Sequence, residues 1–137
     1  MICNKRLLIP GLLCLFILLQ STAAFADPEW QWTCQTIESE NDVGRDSSLL
    51  EGSDGNIHIS HQDNTNRDLR YCEGKETEWT CQEIDDVGEA GNNSSIFEGA
   101  DGNIHIGHDN DGDLRYCEGK DEEWTCQTLA TNIEKHH

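Results

Sequence analysis

The sequence predicts an all-β protein of two four-stranded antiparallel sheets, made from two tandem copies of one unit and preceded by one extra strand. Three observations carry this reading. The block Trp79-Thr80-Cys81-Gln82 recurs as Trp124-Thr125-Cys126-Gln127, and stands once more upstream as Trp32-Thr33-Cys34-Gln35. Within the copies, Glu51-Gly52-Ser53-Asp54-Gly55-Asn56-Ile57-His58-Ile59 matches Glu98-Gly99-Ala100-Asp101-Gly102-Asn103-Ile104-His105-Ile106, and Asp68 to Lys75 matches Asp113 to Lys120. Between these blocks, clusters of Gly, Asn and Asp interrupt short runs of alternating or β-branched character, the pattern of strands joined by turns. Self-similarity at a fixed period identifies one supersecondary unit used repeatedly.

The elements follow in order. Lys5 and Arg6 precede an apolar run from Leu7 to Leu19 and then Ala24-Phe25-Ala26, so residues 1–26 read as a secretory signal peptide cut before Asp27. The apolar stretch from Gly11 to Leu19 is short for a membrane span of about 20 residues. Leu13 stands before Cys14 where a lipidation site would need a small residue. Residues 27–46 hold a lone strand, near 30–37, and a linker; it repeats the fourth strand of a unit whose first three strands are missing. The first full unit, 47–85, carries strands near 47–52, 56–62, 68–74 and 78–85. A linker and the second unit occupy 86–129, with strands near 94–99, 103–108, 113–119 and 123–129, and 130–137 is a tail ending in His136-His137. Asp54-Gly55 and Asp101-Gly102 supply the positive φ of tight hairpin turns. One loop, Gln62 to Arg67, is shortened in the second copy to Asp109 to Gly112.

The cysteines fix a register. If Cys72 faces Cys81, then Arg70 meets Glu83, Leu69 meets Ile84, Gly74 meets Trp79, and Glu76-Thr77 is left as a two-residue turn. If Cys117 faces Cys126, Leu114 meets Leu129 and Asp121-Glu122 is the turn. Opposed Cβ atoms in an antiparallel pair lie near disulfide separation, so bonds Cys72–Cys81 and Cys117–Cys126 are expected. Each closes a loop of about ten residues and contributes roughly 2–3 kcal/mol in the chain-entropy account. Free core thiols or a zinc site are the competing readings; the export signal weighs against the first, and the absence of His from the same hairpins against the second. Cys34 is left unpaired: a relic of a truncated array, a bond to another molecule, or a free thiol.

Charge narrows the partners. Losing residues 1–26 leaves seven Lys and Arg of nine against 27 Asp and Glu, a formal charge of −20 in place of −18. Such a field repels nucleic acid and, once the leader is gone, anionic membranes.

The run Asp54-Gly55-Asn56-Ile57-His58-Ile59-Ser60-His61-Gln62-Asp63, followed by Asp68-Leu69-Arg70-Tyr71 and Trp79-Thr80, resembles the "DG-x-x-HISYYD…DLKYA…W" blade repeat of secreted bacterial β-propellers distantly like sialidases. His61 and His108 stand where that repeat often has Tyr, and Cys72 and Cys117 where it often has Ala. The resemblance implies a partial, open β-propeller of two blades plus an N-terminal strand, since two blades cannot close a ring. It implies a secreted or periplasmic, non-catalytic module that binds carbohydrate or a protein surface. The alternatives are a building block that completes a propeller by homo-oligomerisation and, more remotely, a sialidase-like glycosidase.

Candidate site residues are few. Trp30 has no counterpart in the repeats and is free to stack on a ligand; His61 and His108 lie near expected loop mouths, placed to hydrogen-bond one. His58 and His61, like His105 and His108, point to opposite strand faces and cannot chelate together, so no metal site is expected from them. Asp109, Asp111 and Asp113 form a weak calcium candidate, which an ordinary turn explains equally well; no other cofactor is expected. Trp32, Trp79 and Trp124 recur at one position and are expected to pack. No nucleophile motif or phosphate-cradling loop is present.

Overall fold

The computed structural model describes residues 2–7 and 30–131. Most of the segment read as a signal peptide, with Cys14, and the end of the tail, with His136 and His137, lie outside the described residues. Among the described residues the protein is all-β, and no helix is long and apolar enough to cross a membrane. The chain divides into two units, Met1–Ile37 and Glu38–His137.

In the first unit β1 (Ile2–Leu7) pairs antiparallel with β2 (Trp30–Gln35). This corrects two expectations, because the strand read as lone has a partner and Cys34 is not unpaired. Cys3 stands directly opposite it, and the two form a disulfide. Assigning Cys3 to a removable leader is what left Cys34 alone on paper. Trp32, expected to pack, is exposed.

In the second unit β3 (Val43–Glu51), β4 (Ile57–Asp63), β5 (Asp68–Lys75) and β6 (Glu78–Asp85) form a four-stranded antiparallel sheet in chain order. A second such sheet follows from β7 (Asn92–Glu98), β8 (Ile104–Asn110), β9 (Asp113–Lys120) and β10 (Glu123–Ala130). β3 and β7 start earlier than the sequence pattern suggested. Their first residues contain register shifts, with Gly44 inside the shift of β3 (φ 88°) and Gly91 immediately before β7 (φ 89°), so the period-two signal breaks there.

Cys72 faces Cys81 and Cys117 faces Cys126, each pair bonded across a Cα separation of 4.1 Å. Arg70 meets Glu83 and Gly74 meets Trp79, in the register anticipated. The far ends differ: Leu69 meets Asp85, not Ile84, and Leu114 meets Ala130, not Leu129. A bulge near the end of β6 and of β10 shifts the pairing by one residue. Glycine opposite the tryptophan is a steric requirement: a Cβ on Gly74 would sit 2.8 Å from the Trp79 ring, and one on Gly119 2.5 Å from that of Trp124.

The core lies between the two sheets. Leu50, Leu69, Tyr71 and Ile84 from the first sheet pack with Ile96, Ile104, Ile106, Cys117 and Trp124 from the second. Strand pairing puts Leu50, Leu69 and Tyr71 on one face of their sheet, whereas Ile96, Ile106 and Cys117 lie on the opposite face of theirs. The two four-stranded sheets are thus stacked head to tail. Tyr71 and Trp124 touch across this seam, ring centroids 4.7 Å apart. Every buried side-chain nitrogen and oxygen among the described residues has a hydrogen-bond partner, as a small polar interior requires.

Candidate functional site

Among the described residues, a buried polar cluster sits where the first four-stranded sheet hands over to the second. The bulge at the end of β6 turns Asp85 inward, and its carboxylate lies against the second sheet. There it accepts from Arg115 Nε at 2.6 Å and Nη2 at 3.0 Å, and lies 3.1 Å from His108 Nε2. All three residues are buried. Gly91 N–H, aimed by the β7 bulge, donates to His108 Nδ1 at 3.1 Å. That leaves Nε2 as the protonated nitrogen, which donates to Asp85. Burial pushes the His108 pKa below its ordinary 6.5, consistent with a neutral ring, and the nearby Asp85 carboxylate only partly opposes this.

The same cluster exists one unit earlier. Glu38 follows β2 by the same number of residues as Asp85 follows the corresponding point of β6, counting from Trp32 and Trp79. Its carboxylate accepts from Arg70 Nε at 3.1 Å and pairs with Nη2 at 2.5 Å, and lies 3.1 Å from His61 Nε2, while Gly44 N–H donates to His61 Nδ1 at 3.2 Å. In each case an acid supplied by the preceding repeat position completes a His–Arg pair in the next sheet. In the last copy the position is Ala130.

This placement differs from the expectation for His61 and His108. Neither lies at a loop mouth; both are buried, with both ring nitrogens engaged. The third nominal donor beside each is a cysteine. Among the described residues Glu38–His61–Cys72 and Asp85–His108–Cys117 each bring three metal-ligand types within 4.8 Å. Yet both sulfurs are in disulfides and offer no thiolate, and each carboxylate is held by two prongs of an arginine. The arrangement does the work of an ion-pair network.

Asp109, Asp111 and Asp113 are not among those clusters; they lie in and beside the turn from β8 to β9, where Asp109 accepts from Gly112 N–H at 3.2 Å. Trp30 lies in β2, but its side chain is outside the described residues. A second polar chain runs along the turns: the Tyr71 hydroxyl lies 2.6 Å from His58 Nδ1 and donates to Glu73 at 2.9 Å. Burial, reinforced by Glu73, holds that phenol firmly protonated. Next to it a cavity of about 100 Å³ is lined by Ser53, Asp54, His58, Tyr71 and Glu98. Its volume is well below the roughly 300 Å³ at which small-molecule sites begin. A shallower cleft of about 480 Å³ runs past Trp124, Glu118 and Lys120.

The remaining candidate is a surface. The face of the second sheet that corresponds to the buried face of the first is open, and carries Phe97, Tyr116, Leu114 and Leu129. Leu69 is fully buried, while its repeat equivalent Leu114 is 50% exposed. Phe97 stacks on His105 with centroids 4.6 Å apart, and stays 58% exposed. No protein-family model matches the chain, and no curated protein matches it.

Sequence reasoning missed the two equivalent networks, Glu38 with Arg70 and Asp85 with Arg115. The signal was present in the aligned repeats, as an acid at a fixed offset after Trp-Thr-Cys-Gln in two copies and alanine in the third.

Proposed function

We propose that this chain is a secreted, non-catalytic module of β-propeller-type blades, and that it works by seating a protein surface on the open face of its second sheet. The observation that carries this reading is the contrast between matched positions. The face that is covered when a further unit stacks on it is bare at Leu114, Phe97 and Leu129, and apolar side chains in that arrangement mark interaction surfaces. Three disulfides fit an oxidising compartment. The module needs neither metal nor cofactor in this reading.

A carbohydrate ligand is less well supported, because His61 and His108 are engaged in buried ion pairs. A sialidase-like activity would need guanidinium groups free to hold a substrate carboxylate, and Arg70 and Arg115 already hold Glu38 and Asp85. The test is a photo-crosslinking residue at position 97 in the chain as its host secretes it. A covalent adduct to polypeptide that is lost when Leu114→Asp is added supports the proposal. Capture of saccharide, or no adduct at all, contradicts it.

A further inference from the structure

We infer that the open face of the second sheet takes a cationic stretch of polypeptide, with apolar side chains between its basic ones, and not a further unit of the repeat. The inference rests on the module reading above and names the chemistry of the partner. It comes from comparing the face that is covered inside the chain with its bare counterpart. On the first sheet Leu50, Leu69 and Tyr71 supply the apolar part of the seam. Polar side chains of the same sheet and its turns hold the sheet that covers it: Ser60 meets Ser94, Gln62 Nε2 donates to the Ala90 carbonyl at 3.0 Å, Ser53 donates to Glu98, and Asp85 holds His108 and Arg115. The second sheet keeps the apolar part as Phe97, Leu114 and Tyr116. It carries Ala100 in place of Ser53, Gly107 in place of Ser60, Asp109 in place of Gln62 and Ala130 in place of Asp85. Gln82, which donates to the Asp121 carbonyl, is retained as Gln127.

Such a face stays apolar but gives up most of the groups that lock a repeat unit in place. An incoming unit of the same type would find neither the carboxylate nor the amide that its counterpart finds at the internal seam. What stands there instead points to a cation. Strand pairing sets Asp109 directly beside Leu114, and Glu118 beside His105, which is itself opposite Phe97, so both carboxylates share the face with the apolar side chains. Gln62 donates to a main-chain carbonyl at the internal seam, whereas the carboxylate that replaces it only accepts. The occupant must therefore bring N–H donors or positive charge to that place. Between the two acids lies Gly107, where a Cβ would meet nothing within 4 Å, a hollow beside Tyr116 that an apolar side chain can enter. The chain as a whole carries a formal charge of −18, which draws a basic partner and repels an acidic one.

The probe is a fluorescent synthetic peptide of about eight residues, a common strand length, that alternates Lys and Leu. It is titrated with the secreted chain at physiological ionic strength and read by anisotropy, beside one peptide with Glu for Lys and one with Ser for Leu. The expected result is saturable binding of the Lys-Leu peptide, weakened about tenfold or more in either comparison peptide, and likewise by Leu114→Asp or Asp109→Gln in the protein. Glu40→Gln, which removes an exposed acid elsewhere, should leave binding unchanged. Leu114→Asp separates docking from general attraction, because it adds negative charge while removing an apolar contact. Asp109→Gln restores the residue that the first copy holds at that place, and far-ultraviolet circular dichroism verifies that each variant remains folded. No binding, equal binding of either comparison peptide, or binding that either face variant leaves unchanged or that Glu40→Gln weakens as much, overturns the inference. A position-97 adduct identified as a second copy of this chain overturns it too. If the peptide fails to bind while the position-97 adduct to another polypeptide persists and still depends on Leu114, this inference falls and the module reading stands; loss of both sinks the two together.

Discussion

At the scale of single residues, several side chains hold conformations or charges that cost stability, and each implies a test. Asp121 begins the turn between β9 and β10 with φ of 55°, the left-handed region, which costs a non-glycine residue of the order of 1 kcal/mol. The Trp124 indole steadies the turn by donating to the Asp121 carbonyl at 3.2 Å. Asp121→Gly should therefore raise stability by roughly 0.5 kcal/mol after the entropy of glycine in the unfolded chain is counted, read from the denaturation midpoint.

Asp68 is a second case: burial, then the neighbouring Glu83, pushes its pKa from 3.8 to about 6. The folded chain holds a proton there that the unfolded chain gives up, so this group stabilises less as pH rises from 4 through 6. Asp68→Asn should raise the unfolding free energy at pH 7.5 by an amount on the order of 1 kcal/mol, with the gain fading as pH falls to 4.5. An equal gain at both pH values would contradict the assignment. His108 works in the opposite direction. Its folded pKa is below 6.5, so acidification below about 6.5 protonates the unfolded chain first and stability is lost.

At the scale of elements, the turns and the two hairpins joining each third and fourth strand were legible because their determinants are local. Cys72 and Cys81 lie nine residues apart, and a two-residue turn between them admits one register. The bulges were not legible. Nothing local tells Leu69 to pair with Asp85; the same shift recurs where Leu114 meets Ala130, which has no ion pair to make, so the bulge belongs to the end of the repeat and the Asp85 ion pair makes use of it. The early starts of β3 and β7 were hidden for a similar reason, since their bulges aim a glycine N–H at a histidine and so break the alternation.

Cys3–Cys34 was illegible because Cys3 falls inside a strong signal-peptide pattern. The two readings meet in one prediction. In the chain cut before Asp27, Cys34 has lost Cys3, and thiol titration of the unreduced, denatured mature protein should find one free cysteine per chain or a disulfide between chains. Retention of Cys3 bonded to Cys34 in the secreted protein would contradict cleavage at that point.

At the scale of the whole molecule, a small chain with a formal charge of −18 would be expected to lack the apolar interior for two independent sheets. The structure makes one core between them, and spends its buried polar groups on the seam. Besides the buried Asp85 network, Ser60 meets Ser94 at 2.8 Å, and at the exposed rim of the seam Ser53 donates to Glu98 through both backbone and side chain, at 2.7 and 2.6 Å. Stability should therefore be shared, with both sheets melting together. That the sheets repeat was plain in the sequence. What joins them was obscured because Glu38 and Asp85 are two acids among 27, and only their common offset from the repeated tryptophan sets them apart.

The measurement that bears most directly on this account is a double-mutant cycle between Asp85 and Arg115, by equilibrium denaturation of wild type, Asp85→Ala, Arg115→Met and the pair. Asp85→Ala alone should cost about 3 kcal/mol, because it leaves a buried guanidinium without its carboxylate, and removing both partners should recover much of that loss, a coupling of about 2 kcal/mol. Effects that add to within about 0.5 kcal/mol would mean that the acid carried from one unit does not hold the next.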